Sequence, residues 1–240
     1  MQTARMLEPR PRNAGSKLIE MWRATDVRNT PTLVVSYGGL SGEYWWYARD
    51  NVWEEPRLNR FFPRETLDAL AIRRETAPDW DYWHVTVSET AKALRDAGIG
   101  IQVGGHGQMQ GLAPHWETWM LVQGGFSNFE ALRAATIDGA DQLGLGKQLG
   151  SIEAGKQADL VVLNTNPLEN IRATIDTRYV MVDGRLFDVD ADMAELGNRG
   201  EAAPNFYWQR HRDGQTFGLE FGPTAVCHCP KGGAAHVHLD

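Results

Sequence analysis

Apolar runs and helical patterns alternate over the first 145 residues of the chain. Residues 32–37 form a β-branched run, and residues 99–104 alternate apolar positions with glycine and glutamine, so each run predicts a strand that ends in glycines. Apolar residues at helical spacing predict helices at 16–25, 64–75 and 85–97. The order of strand, long loop, helices and strand is typical of parallel α/β architecture.

A further helix is predicted from Ser127, because Ser127 and Glu130 have the spacing of a capping box. One face of this helix is expected to pack inward, and it carries Phe129, Leu132, Thr136, Ala140 and Leu143.

The pattern changes after Leu145. Apolar runs at 159–163 and 179–182 are followed by Asp183-Gly184 and a third short run, and Asp-Gly between apolar runs predicts a tight hairpin. A turn hydrogen bond best explains Asp159. The sequence therefore predicts four regions: a disordered N-terminus at 1–15, an α/β region at 16–145, a small antiparallel β module at 146–189 and an irregular tail at 190–240.

The connection at 40–63 is long, irregular and aromatic. A loop of this length inside a domain is typical of a functional lid, but a rigid aromatic cover explains it equally well. Six tryptophans lie in or near this part of the chain, which favours a cleft wall or a covered interface over an ordinary core: Trp45, Trp46, Trp53, Trp80, Trp83 and Trp116.

Bulk composition excludes several classes of partner. The net charge of -7 and the absence of a Lys/Arg cluster argue against nucleic acid. No apolar run approaches the roughly 20 residues of a membrane span. The basic N-terminal residues are not followed by an apolar stretch, so no signal peptide is visible. Localisation stays open: the cytoplasm for the chain as written, export if it belongs to a longer precursor.

His106 is the best single candidate for a site residue. It lies between glycines just past the second predicted strand, and in α/β sheets and barrels the reacting residues lie on loops at the carboxyl ends of strands. The alternative is a hydrogen-bonded histidine at a strand end. Tyr37 and Gln108 also follow the strand ends and are candidates to hydrogen-bond a bound amide, although hydrogen bonding within the loops explains both.

Two further histidines lie near predicted helix starts. His115 follows Pro114, a residue typical of a first helical turn, and either packs or contacts substrate or metal. Glu117 lies two positions later, so the two side chains point in different directions and do not form a chelating pair. His84 is expected at the surface or as a helix cap.

The tail contains thiols and imidazoles that can bind a soft metal ion, namely Cys227, His228, Cys229, His236 and His238. Structural zinc sites usually space their cysteines by two or more residues, so an adventitious metal-binding tail is the preferred interpretation. Two cysteines one residue apart form no disulfide framework.

Several linked segments resemble the metal-dependent amidohydrolase superfamily, close to its imidazolonepropionase-like and prolidase-like members. Its C-terminal signature is similar to LGSIEAGKQADLVVLNTNPLENI and the later TRYVMVDGRLFD. The segment FSNFEALRAATIDGADQLGL is similar to the last barrel helix of the superfamily. The segment AKALRDAGIGIQVGGH is similar to the helix before it and to the eighth strand, and TPTLVVSYGG is similar to the seventh strand. The resemblance implies an α/β fold with the last two or so βα units of a (β/α)8 TIM barrel, plus a small antiparallel β-sandwich module.

The resemblance also implies a chemistry. Members bind one or two divalent metals, with zinc the best candidate here, and use metal-activated water to hydrolyse carbon–nitrogen bonds of small amides or dipeptide-like substrates. His106 stands where the family usually has an aspartate that binds metal and accepts the proton of the attacking water, so it is the implied metal ligand and catalytic base. Tyr37, Gln108 and His115 are the candidate substrate-binding residues.

The family's other ligands have no counterpart in this sequence: a His-x-His pair after the first strand, a Lys or Glu after the fourth, and histidines after the fifth and sixth. Two strands cannot close a barrel, and exposed strand edges invite association. We therefore expect a C-terminal fragment of a hydrolase whose N-terminal portion is missing. The alternative is an inactive truncated remnant, or a homo-oligomer or other interaction module without catalysis.

Overall fold

The computed structural model describes residues 12–35, 40–71, 76–106, 109–191 and 193–197. Predicted helices at 16–25 and 85–97 are confirmed, and the helix predicted at 64–75 begins as expected. None of the described helices is both long and apolar enough to cross a membrane. The helices are α1 (Arg12–Ala24), α2 (Gly42–Tyr47), α3 (Pro56–Phe61), α4 (Arg64–Ala71), α5 (His84–Asp96), α6 (Ala113–Gln123), α7 (Asn128–Ala134) and α8 (Ile137–Gln142).

The first predicted strand is wrong over its described part, because Leu33–Val35 forms a short 3-10 helix. Thr32, with φ 49°, turns the chain just before it. The second predicted strand is reduced to a single parallel bridge between Asn29 and Ile101, and Leu40 and Tyr82 form another. The described residues thus form two parallel bridges but no parallel sheet, and the partial barrel stays a prediction.

The predicted antiparallel module is confirmed as one four-stranded sheet in the order β1 (Leu160–Leu163), β2 (Thr177–Val182), β3 (Arg185–Asp188) and β4 (Ala194–Leu196). Asp183 and Gly184 both have positive φ and close the β2–β3 hairpin. Asp159 accepts the backbone N–H of Asp183 at 2.7 Å, which confirms its predicted turn role. β4 lies beyond position 189. No second sheet occurs among the described residues, so the sandwich stays a prediction.

The hydrophobic core lies where α2, α5 and α6 pack around the 33–35 turn. Trp46, Trp116 and Trp119 are buried in it, so these rings form core rather than a cleft wall. Trp80, in the 3-10 helix Asp79–Asp81, is 82% exposed. The connection at 40–63 is therefore partly helical, and its α2 belongs to the core.

The helix predicted from Ser127 has the expected capping box, but it is interrupted at 135–136 between α7 and α8. The predicted inward face is confirmed only in part, because the interruption shifts the helical phase. Ala140 is buried and Leu132 packs against the core, whereas Phe129, Thr136 and Leu143 are exposed.

Candidate functional site

Two chain segments run side by side in parallel and end at the same edge. The N–H of Asn29 donates to the carbonyl of Gly100 at 2.9 Å, and the N–H of Gln102 donates to the carbonyl of Asn29 at 3.2 Å. The Gln102 amide also donates to the Thr30 hydroxyl at 2.6 Å. We call residues 30–33 and 103–106 at these carboxyl ends the rim. Parallel segments of α/β folds place their reacting residues at this end.

Two of the five described non-glycine residues with positive φ lie at the rim. Thr32 has φ 49° and His106 has φ 48°, a region that non-glycine residues seldom adopt and that is a genuine outlier for a β-branched residue. The two segments touch here, because a Cβ on Gly104 would lie 2.7 Å from the Thr32 hydroxyl oxygen. Glycine is thus required at position 104, and strained residues of this kind cluster at functional sites.

His106 is exposed at the end of the rim, and its neighbour Gly105 lies against Pro114 at the start of α6. The predicted candidates Tyr37 and Gln108 lie outside the described residues, as does the Cys/His cluster of the tail. Within the described ranges, no group of three or more His, Cys, Asp or Glu side chains could hold a metal ion. The described part of the rim supplies at most one imidazole ligand and does not fit a complete metal centre.

His115 is held by the segment before β2. Its Nδ1 lies 3.0 Å from the Thr174 hydroxyl in the 3-10 helix Ile171–Ile175, and that hydroxyl also accepts the indole N–H of Trp119 at 2.9 Å. The Thr174 hydroxyl proton can therefore donate to Nδ1, which favours a neutral His115 with its proton on Nε2. Burial lowers the pKa of His115, in agreement.

The sequence analysis did not predict that two polar side chains are fully buried. His84 is fully buried rather than at the surface, and its Nε2 lies 3.1 Å from the Gln123 side-chain oxygen. Burial lowers its pKa to about 4. Glu117 is also fully buried, and its Oε1 accepts the N–H of Val34 at 2.8 Å. The sequence signal for Glu117 is that it is the one acidic residue of α6, next to the apolar residues Trp116, Trp119 and Met120, where a buried carboxylate requires a hydrogen-bond donor.

A groove of about 530 Å³ lies between α3 and the β module. Arg57 lines it and donates to the carbonyls of Ile175 and Thr177 at 2.8 and 2.7 Å. Its other charged lining residues are Glu55, Arg60, Asp176 and Asp190. None of the rim residues lines this groove. We regard the rim, rather than the groove, as the candidate functional site because the rim lies at the carboxyl ends of the two parallel segments.

Comparison with known proteins gives one family match, to the model described as the amidohydrolase family, over residues 88–187. The matched range contains most of α5, residues 103–106 of the rim, α6 and strands β1 and β2.

Curated relatives match short segments. A 5′-deoxyadenosine deaminase of Methanobrevibacter smithii is 57% identical over 37 residues, which are 15% of this chain and 8% of that protein. A 5-methylthioadenosine/S-adenosylhomocysteine deaminase of Desulforamulus reducens is 36% identical over 74 residues, covering 26% of this chain and 17% of that protein. The matches thus span less than a fifth of either relative.

Among solved structures, a Xaa-Pro dipeptidase with bound methionine in the active site is 25% identical. The superposition covers 72% of this chain and 37% of that chain, with a TM-score of 0.48.

Proposed function

Because residues 88–187 of the chain belong to the amidohydrolase family, we propose that the chain forms the C-terminal part of a metal-dependent hydrolase that cleaves carbon–nitrogen bonds in small molecules. The observation that carries this proposal is the position of residues 103–106 of the rim within the matched range. The matched segment contains the strained end at residues 103–106, where an α/β hydrolase places its reacting groups.

In this proposal, His106 is the rim residue that accepts and donates the proton during hydrolysis. Its imidazole is exposed at the carboxyl end of the 99–106 segment, and imidazole accepts and donates protons near neutral pH. Tyr37 and Gln108, which follow the two segments in sequence, and His115 remain the candidates for hydrogen bonds to the substrate. A complete metal centre requires ligands from outside the described residues, and zinc is the metal that we propose.

The substrate class follows from the chemistry of the relatives. Two curated relatives are named as nucleoside deaminases, so an exocyclic amine on a purine ring joins small amides and dipeptides as a candidate substrate. In both cases water replaces nitrogen at an electron-poor carbon, and ammonia or an amine leaves. The same rim can therefore serve either substrate, with the pocket wall deciding between them.

The test measures turnover by the purified chain with added zinc and with a chelator. One arm follows ammonia release from 5′-deoxyadenosine and methylthioadenosine, and the other follows amino-acid release from Xaa-Pro dipeptides. We expect His106→Ala to lower turnover by about 100-fold or more, as for loss of a general base. The matched control is Gln110→Ala, an exposed neighbour that should retain full turnover.

Each outcome decides one part of the proposal. Zinc-dependent turnover that His106→Ala abolishes supports the function and the role of His106. Equal turnover in His106→Ala and Gln110→Ala would reject that role. Absence of turnover with every substrate and zinc would reject catalysis by this chain.

A second candidate function is an interaction module without catalysis. Strand β1 is at one edge of the described sheet, and its Val161 and Val162 are 59% and 45% exposed. Apolar edge strands pair readily with other chains. If this function is correct, analytical ultracentrifugation should show association that Val161→Lys abolishes and Leu168→Lys, at an exposed apolar position outside the strands, does not. A monomer at all concentrations would exclude it.

A further inference from the structure

Glu117 connects α6 to the rim. Its side chain is fully buried between the buried residues Trp116 and Thr118, and its Oε1 accepts the N–H of Val34, 83 positions earlier in the chain, at 2.8 Å. Its Oε2 has no hydrogen-bond partner among the described residues. Burial raises the pKa of Glu117, while backbone hydrogen bonds from Val34 and Leu33 oppose that rise. One buried oxygen therefore goes unpaired while the other binds the turn.

Helix α2 packs against the same turn. A Cβ on Gly42 would lie 2.5 Å from the carbonyl oxygen of Leu33, 2.9 Å from the sulfur of Met120 and 3.0 Å from the Cβ of His84. Gly42 thus packs directly on the turn, where no larger residue fits. Glu117 of α6 thus accepts the N–H of Val34, and Gly42 of α2 packs against the carbonyl of Leu33.

The contact with Glu117 replaces a hydrogen bond that an adjacent strand would make in a parallel sheet. In a parallel sheet, the N–H of a residue such as Val34 donates to the carbonyl of the adjacent strand. Here the pairing with the 99–106 segment ends near Gln102, and a carboxyl oxygen of Glu117 accepts the N–H of Val34. Thr32, two residues before Val34, has a left-handed φ of 49°, and a strained residue of this kind persists only where the surrounding structure holds it.

We propose that Glu117 is the positioning residue of the rim, which through the N–H of Val34 holds the strained Thr32 against Gly104 and so sets the geometry around His106. The catalytic consequence rests on the proposed function, whereas the positioning itself does not. A purely apolar side chain would fill the same space in α6 but would leave the N–H of Val34 buried and without an acceptor.

The test compares Glu117→Leu, Glu117→Gln and the control Thr118→Val. Thr118 is the buried neighbour whose hydroxyl donates only within its own helix, to the carbonyl of Pro114 at 2.8 Å. Glu117→Leu should accelerate amide hydrogen exchange at Val34 by about tenfold or more, with the β2–β3 amides unchanged. Glu117→Gln keeps an acceptor oxygen and should preserve protection, as should Thr118→Val. If hydrolysis is measurable, Glu117→Leu should lower kcat/KM and Glu117→Gln should restore it.

A second readout does not depend on the folding of the leucine variant. In the wild-type chain, the amide chemical shift of Val34 should follow the titration of the Glu117 carboxyl group, and this dependence should vanish in Glu117→Gln. An amide at Val34 that neither titrates nor loses protection would overturn the positioning role. Failure to hydrolyse any substrate would reject the proposed function and leave the positioning role intact, because both NMR readouts are independent of turnover.

Discussion

Asp50 and Arg172 form an ion pair of 2.7 Å although 122 positions separate them in the chain. The guanidinium of Arg172 also lies over the rings of Trp46 and Trp119, at 5.3 and 4.8 Å from their centroids. Asp50 in turn accepts the indole N–H of Trp116 at 3.3 Å. One arginine from the segment before β2 thus connects the β module to α2 and α6.

Replacing this arginine should destabilise the chain. Arg172→Ala is expected to lower the free energy of unfolding by about 1–2 kcal/mol, mainly through the lost contacts with the two indole rings. The ion pair contributes little of this, because the Arg172 side chain is 49% exposed and solvent screens its charge. Arg172→Lys should recover only part of the loss, since an ammonium group lacks the planar guanidinium face.

Urea unfolding followed by tryptophan fluorescence measures this effect. The control is Arg64→Ala, which removes an exposed i,i+4 pair with Asp68 and should change stability by less than about 0.5 kcal/mol. Equal losses in both alanine variants would show that stacking on the rings contributes nothing.

His84 should make the stability depend on pH. Its pKa is lowered to about 4, first by burial and also by Arg49, while the contact with Gln123 and the charge of Asp79 oppose the change. Between pH 6.5 and 4 the unfolded chain binds a proton that the folded chain does not. The free energy of unfolding should therefore fall as pH decreases through this range, by up to about 1.4 kcal/mol per pH unit.

The measurement is the free energy of unfolding between pH 4 and 7. His84→Leu should reduce the slope, leaving the smaller contribution of His115, whose pKa burial also lowers. Thr86→Ala, at an exposed position without a titratable side chain, should leave the slope unchanged. A wild-type stability that does not vary over this range would contradict the burial of a neutral His84.

Local patterns were sufficient where neighbouring residues alone decide the structure. Asp183-Gly184 adopts the positive φ angles of a tight hairpin, and the spacing of Ser127 and Glu130 gives the capping box seen at α7. Helix α5 follows from its apolar spacing. The β2–β3 hairpin, the start of α7 and helix α5 were therefore predictable from short windows of sequence.

Distant neighbours decide the rest. The run at 32–37 has strand composition, yet Glu117 takes the N–H of Val34 and Gly42 packs on the carbonyl of Leu33, so residues 33–35 form a turn. His84 is adjacent to an aromatic residue in a polar helix, and only the packing of α5 on α6 buries it. The sequence placed His106 just after the 99–104 run, whereas it gave no sign of the strained backbone at His106.

The strain at Thr32 can be tested by removing its side chain. Thr32→Gly should stabilise the chain by up to about 1 kcal/mol, because relief of the left-handed conformation exceeds the entropy that glycine adds to the unfolded state. Thermal and urea unfolding measure the change. Thr86→Gly, on the exposed side of α5, is the matched control and should destabilise by about 1 kcal/mol. A loss in both variants would mean that Thr32 bears no strain in the folded chain.

Two glycine-to-alanine changes should alter the free energy of unfolding in opposite directions. Gly184 has φ 77° and nothing within 4 Å of an added Cβ, so Gly184→Ala should destabilise by about 1 kcal/mol through backbone strain alone. Gly139 is within α8, and an added Cβ would meet its nearest atoms at 3.7 and 4.0 Å, which is ordinary contact. Gly139→Ala should therefore stabilise by about 0.5–1 kcal/mol, because alanine has the higher helix propensity. Urea unfolding of both variants gives the signs directly, and a stabilising Gly184→Ala would contradict the tight hairpin between β2 and β3.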